Sequence, residues 1–142
     1  MAANPSAESI RRAQVFWEQS GEDLKAAKAE LKRRDFLQSS FMSLQAAVNA
    51  LSAVCHLHGH FQLPPGNPGQ LAALCAETEP RFTEWVDACP ALEEAIERNP
   101  FDPHRDSEEE AVLGRRCLAE VEPLLRLVKV YLKENRARFF KP

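Results

Sequence analysis

The stretch Trp17–Ala53, WEQSGEDLKAAKAELKRRDFLQSSFMSLQAAVNALSA, decides the class of fold. Before the break at Arg34-Asp35, apolar residues recur at three- and four-residue steps: Ile10, Ala13, Trp17, Leu24, Ala27 and Leu31. That spacing lays one stripe along a helix, predicted from about Ala7 to Arg34. Gly21 falls where the stripe passes between Trp17 and Leu24. A glycine inside a helix costs up to about 1 kcal/mol relative to alanine, so its presence points to a close approach by another helix. Lys32, Arg33 and Arg34 close the helix at the end where positive charge is favoured. After the break the pattern resumes with Leu37, Phe41, Leu44, Val48, Leu51 and Cys55, predicting a second helix over about Asp35 to His58. A short break between two long helices makes them antiparallel neighbours, the start of an up-and-down bundle.

Downstream, GHFQLPPGNPG at 59–69 reads as a loop, because its three prolines and three glycines cannot continue a helix. Residues 70–97 read as broken helix. LAALCAE is one piece, Pro80 restarts a second behind Thr78 as N-cap, and Pro90 interrupts before ALEEAIER. Ser107-Glu108-Glu109-Glu110 reads as a capping box opening a last helix through Val112, Leu113, Cys117, Leu118, Val121, Leu124, Leu125, Val128 and Leu132. Pro123 lies inside it and is expected to kink or split it, since it removes a hydrogen bond and crowds the preceding turn.

With 142 residues, 44% of them hydrophobic, the chain has the apolar mass for one core. No run alternates long enough for a sheet. The expectation is a single all-α domain over 1–142, an up-and-down bundle of four to five helices. No uninterrupted apolar run approaches the ~20 residues that span a bilayer, and the first residues lack a secretory pattern, so a cytoplasmic location without membrane contact is expected. Cys55, Cys75, Cys89 and Cys117 form no C-x-x-C pair and read as reduced, mostly buried thiols.

The wording of the opening segment carries more than its helicity. Trp17, the Asp23-Leu24 pair, the aromatic pair Phe36 and Phe41, and Gln45-Ala46-Ala47 followed by Ala50-Leu51 and Ala53 together resemble the HEPN family. These are small helical-bundle domains of prokaryotic toxin–antitoxin and nucleotidyltransferase-partner systems. The resemblance covers about the first half of the chain. It implies a HEPN-like bundle that forms a homodimer, with a nucleotidyltransferase or RNA as further candidate partners.

The family's ribonuclease motif is an Arg, usually followed by a polar residue, with a His four to six residues further on. Here Arg98 is followed by Asn99, and five residues separate it from His104. The chemistry suits the residue types. Cleavage of RNA through its own 2′-hydroxyl needs a group that titrates near neutrality, which His supplies. It also needs a fixed cation for charge building on the phosphate, which an Arg fork supplies. The resemblance thus makes Arg98 the phosphate binder, His104 the acid or base and Asn99 an orienting residue of a metal-independent endoribonuclease. Two departures favour a non-catalytic member instead. Val48-Asn49 stands where the family often carries Glu-Lys, and Pro100 and Pro103 break the motif.

Two clusters remain. His56, His58 and His60 invite a metal reading, but helical neighbours two apart point to nearly opposite sides, and Gly59 is expected to end the helix before His60. Cap or surface histidines are expected, with no metal and no cofactor. Trp17, Trp85, Phe36, Phe41 and Phe82 read as core aromatics. Phe139-Phe140 stand among cations and suit base stacking, a partner, or folding back on the bundle.

Charge is uneven. Glu77 to Glu110 holds 12 acidic residues against three basic, whereas Arg126 to Lys141 holds six basic residues and one acid. The basic end can meet RNA or an acidic partner, or complement a helix dipole. Two functions follow: a dimeric helical interaction module, or a metal-independent endoribonuclease of the Arg-x5-His type.

Overall fold

The computed structural model describes residues 6–60, 63, 66–98 and 106–135. Among them the chain is all-helical: α1 (Ala7–Lys32), α2 (Phe36–Leu57), α3 (Pro68–Ala76), a 3-10 turn (Pro80–Trp85), α4 (Pro90–Ile96) and α5 (Ser107–Glu134). Each start has a local cause. The side chains of Ser6, Asp35, Asn67 and Asp106 accept backbone N–H groups of the turns they cap, satisfying donors that a helix leaves over. Pro68, Pro80 and Pro90 each occupy the first helical position, where a missing N–H is no loss.

The first two helices end in the same way. Asp35 N–H donates to Glu30 O at 2.9 Å and His60 N–H to Cys55 O at 3.0 Å, with Arg34 (φ 67) and Gly59 (φ 84) in the left-handed conformation that this closure demands. A non-glycine residue at Arg34 shows that the closure outweighs the strain it carries.

α2 is the axis of the molecule. It packs against α1, α3, α4 and α5, and every residue from Ala50 to Leu57 is buried. Length and composition alone would let Phe36–Leu57 cross a membrane, yet 72% of its apolar window is covered by the other helices. α1 runs antiparallel to it: Ser39 Oγ donates to Ala27 O at 2.8 Å near one end, and Phe16 stacks on His56 near the other. α5 runs parallel to α2, with Gly114 beside Phe36 and Tyr131 beside His58. The short helices between them return the chain to the level of the α2 start, and α4 lies antiparallel along α5. One buried cluster joins residues of all six elements, from Ala13 through Leu51, Leu71, Phe82 and Leu92 to Val128.

Several expectations need correction. The long helices stop at Lys32 and Leu57 rather than Arg34 and His58. α3 begins at Pro68, inside the expected loop. Glu79, not Thr78, caps the 3-10 turn; the Thr78 hydroxyl donates back to Cys75 O. Asp106, not Ser107, caps α5. Pro123 does not split α5. It lies away from the core beside exposed Ala119, so water can reach the carbonyl that loses its helical partner.

Gly21 makes no close approach: a Cβ built there meets nothing within 4 Å. The buried residue on that part of the stripe is Ser20, whose hydroxyl donates to Trp17 O at 2.7 Å. The glycines that pack tightly are Gly69, its built Cβ 2.5 Å from Glu93 Oε1 and 2.8 Å from Val86 O, and Gly114, at 3.2 Å from Phe36 O. Gly21→Ala is therefore expected to stabilise the fold by about 0.5–1 kcal/mol, seen as a higher urea midpoint at unchanged slope. A loss of stability would mean that something does press on that position.

The four thiols are free and buried. Burial pushes Cys89 and Cys117 up to about 12. Cys75 is raised well above the ordinary thiol range by its hydrogen bond with Cys55 and by burial. Held protonated by these shifts, Cys75, Cys89 and Cys117 serve packing rather than reaction, and Cys55 is buried beside them.

Candidate functional site

The expected Arg98, Asn99, His104 set is only partly on view. Asn99 and His104 lie outside the described residues. Arg98 stands just past α4, at the end of the bundle where α4 and α5 diverge. α4 is brought there by Glu120, whose carboxylate accepts the N–H groups of Ala91 and Leu92 at 3.0 Å. Cys89, at the cap position, makes no such bond, so a side chain from α5 supplies the cap in its place.

Arg98 lies between two hollows. A cleft of about 570 Å³ is lined by Glu94, Arg98, Asp106, Glu108, Glu109, Val112, Leu113 and Arg116. A smaller hollow of about 260 Å³, mostly apolar, is lined by Leu37, Gln38, Ser40, Phe41, Ala95 and Arg98. The guanidinium of Arg98 donates to Glu94 Oε1 at 2.8 Å and lies 3.9 Å from Glu109 Oε2. The other oxygen of Glu94 accepts from Arg116 at 3.5 Å. Among the described residues, four carboxylates line the larger cleft against two guanidiniums. The field these residues set up is negative, and Arg98 is already engaged. A phosphate would have to displace Glu94 and meet the remaining acids, both unfavourable in Coulomb terms.

The residues that make this cleft acidic were legible only as a surplus over Glu77–Glu110. That surplus did not show that Glu94, Glu109 and Arg116 converge on Arg98, because they belong to two helices. Aromatic and apolar positions also depart from expectation here. Phe41, expected in the core, is 49% exposed, and Val112 is 53% exposed. Phe41 stands at this end of the bundle beside Arg98, and Val112, two and a half turns before buried Val121, points away from the covered side of α5. Phe82 is fully buried, Trp17 and Trp85 pack partly against the core, and Phe36 lies beneath Arg34 and Arg115.

The histidines sit at the opposite end of α2. His58 is the C-cap, with Nε2 2.7 Å from the Tyr131 hydroxyl. His56 is not a surface histidine: it is buried and stacked on Phe16, ring centroids 4.7 Å apart. No group of three or more His, Cys, Asp or Glu among the described residues could hold a metal ion.

Burial, aided by the nearby positive Arg12, holds His56 below its ordinary value. As pH falls, the unfolded chain therefore takes up this proton first. The stability His56 lends is complete above about pH 6.5 and is lost as pH falls through its own lower value. Tm is expected to drop between about pH 7.5 and about pH 5.5, and to drop less in His56→Gln. An equal drop in both proteins would place the effect elsewhere.

Compared with protein-family models, with curated proteins and with solved structures, the chain matches none.

Proposed function

We propose that this chain is a HEPN-like helical interaction module, working as a homodimer and pairing with a second protein. A nucleotidyltransferase, or the other half of a toxin–antitoxin pair, is the partner that the resemblance of Trp17–Ala53 suggests. The observation that carries the non-catalytic reading is the state of Arg98. Its guanidinium is tied to Glu94 and Glu109 in a cleft where, among the described residues, carboxylates outnumber cations. That setting suits a positively charged protein surface better than an RNA backbone, whose affinity comes from uncompensated Lys and Arg.

The second reading, a metal-independent endoribonuclease using Arg98, Asn99 and His104, has one observation on its side. The cleft beside Arg98, at about 570 Å³, is within the ~300–1,000 Å³ range of small-molecule sites. The test is incubation of end-labelled mixed RNA with micromolar protein in EDTA, beside Arg98→Ala and His104→Ala. No cutting by any of the three is expected. Cutting by the wild type that survives EDTA and disappears in both variants would establish the endoribonuclease and overturn the module.

A further inference from the structure

Six of the nine described arginines are ion-paired: Arg11, Arg12, Arg33, Arg81, Arg98 and Arg116. Arg34 and Arg115 have no carboxylate within ion-pair reach among the described residues, although the chain carries more acid than base. They meet on one ring. Their Cζ atoms lie 5.5 and 5.7 Å from the centroid of Phe36, so the two charges are held within ~12 Å of each other. Both residues are exposed, and so is Lys32, two residues before Arg34.

Backbone geometry places both side chains. Arg34 is left-handed at φ 67, whereas the equivalent closing position of α2 is filled by Gly59, which takes that conformation without strain. Arg115 follows Gly114, whose missing side chain lets α5 close on Phe36. Nothing local is placed to neutralise the pair. One turn either side of Arg115 stand Ala111, Val112, Leu118 and Ala119, none able to make a helical ion pair. One turn before Arg34, Glu30 is taken by Arg33 at 2.9 Å. The neighbouring Asp35 carboxylate accepts the Gln38 N–H of its own helix at 3.3 Å.

A guanidinium laid on an aromatic ring keeps its N–H edge free, and that edge grips an oxyanion through two parallel hydrogen bonds. Two such edges offer paired donors and two positive charges. A carboxylate, with two oxygens and one charge, satisfies only one of them. A phosphate monoester has three terminal oxygens and close to two negative charges near neutral pH, enough for both. We propose that Arg34 and Arg115, seated on Phe36, form a binding site for a phosphate monoester dianion, with Lys32 adding to its field. The inference depends neither on the module reading nor on Arg98. Such a group arrives on a small soluble ester or on a lipid headgroup, and the chemistry recognised is the same. At an exposed site the binding is weak and falls with salt.

Titration of the full chain with inorganic phosphate at low ionic strength, followed by the arginine side-chain N–H signals in NMR spectra, tests this. Saturating shifts are expected at Arg34 and Arg115, and none at Arg126, an exposed arginine elsewhere on α5. Arg34→Gly removes one fork at a position that glycine suits, and Arg115→Gln removes the other at an exposed position. Both should fold, which circular dichroism checks, and each is expected to raise the phosphate Kd at least ~10-fold. Arg115→Lys keeps the charge without the fork and is expected to lose most of the same binding. Three results would each overturn the site: no saturation through ~20 mM phosphate, acetate binding as tightly, or Arg126 responding equally. Full binding by Arg115→Lys would reduce it to a diffuse positive patch and overturn the two-fork assignment. Vesicles containing phosphatidic acid separate the sources. Co-sedimentation that Arg34→Gly abolishes assigns a lipid headgroup, whereas phosphate binding without co-sedimentation assigns a soluble ester.

Discussion

Leu51→Ala is expected to lower the free energy of unfolding by about 3–5 kcal/mol, the range found when a fully enclosed leucine leaves a cavity that its surroundings cannot fill. Leu51 is 0% exposed on the central helix, and its carbonyl accepts the Cys75 thiol at 3.5 Å. Its neighbours on α2 include Ala46, Ala47, Ala50 and Ala53, all fully buried. They allow close helix approach and have no long side chains to swing into a hole. Phe41→Ala is the control. Phe41 belongs to the same sequence stripe, yet at 49% exposed its removal is expected to cost under about 1 kcal/mol. Urea unfolding of both variants measures the contrast. Equal losses would mean that Phe41 packs as the stripe implies.

The second large effect is expected at a polar contact inside the α1–α2 interface. Asp23 is 4% exposed, and its carboxylate accepts from Asn49 Nδ2 at 2.6 Å and from Gln19 Nε2 at 2.8 Å. Asn49→Leu removes one donor from a buried carboxylate. Hydrogen bonds to charged groups are worth about 1.5–3 kcal/mol and an unsatisfied buried group adds its own penalty, so a loss of about 2–3 kcal/mol is expected. Replacing both partners, Asp23→Leu with Asn49→Leu, leaves no orphaned polar atom from this pair and should recover most of that loss. A double-mutant cycle by urea unfolding measures the coupling. If the two losses simply add, the carboxylate is satisfied some other way and the contact is incidental.

This polar pair shows where sequence reading stopped. Asp23 and Asn49 were each visible, one as half of an Asp-Leu pair and the other as a departure after Gln-Ala-Ala. Their meeting was not, because twenty-six residues and a helix reversal separate them. Gly21 failed for a related reason. Periodicity assigns a residue to a face only to within a residue or so, and Ser20 rather than Gly21 turned inward. For Arg98 the motif named a residue type and a spacing, while its chemistry depends on Glu94, Glu109 and Arg116, which the motif does not mention.

The sequence by itself determined the helical class, the two long opening helices and the breaks at Pro80 and Pro90. These follow from period, capping side chains and proline stereochemistry, all of which act within a few residues. Only the tertiary structure decided which stripe positions are covered: Phe41, read on the same stripe as Leu44 and Leu51, stays exposed at the start of α2. It alone decided that α5 runs parallel to α2, that Glu120 caps a helix it does not belong to, and that Arg98 faces carboxylates. Each of these is a contact between residues distant in the chain. Local propensity carries no term for such contacts, and they are settled only when the whole core packs.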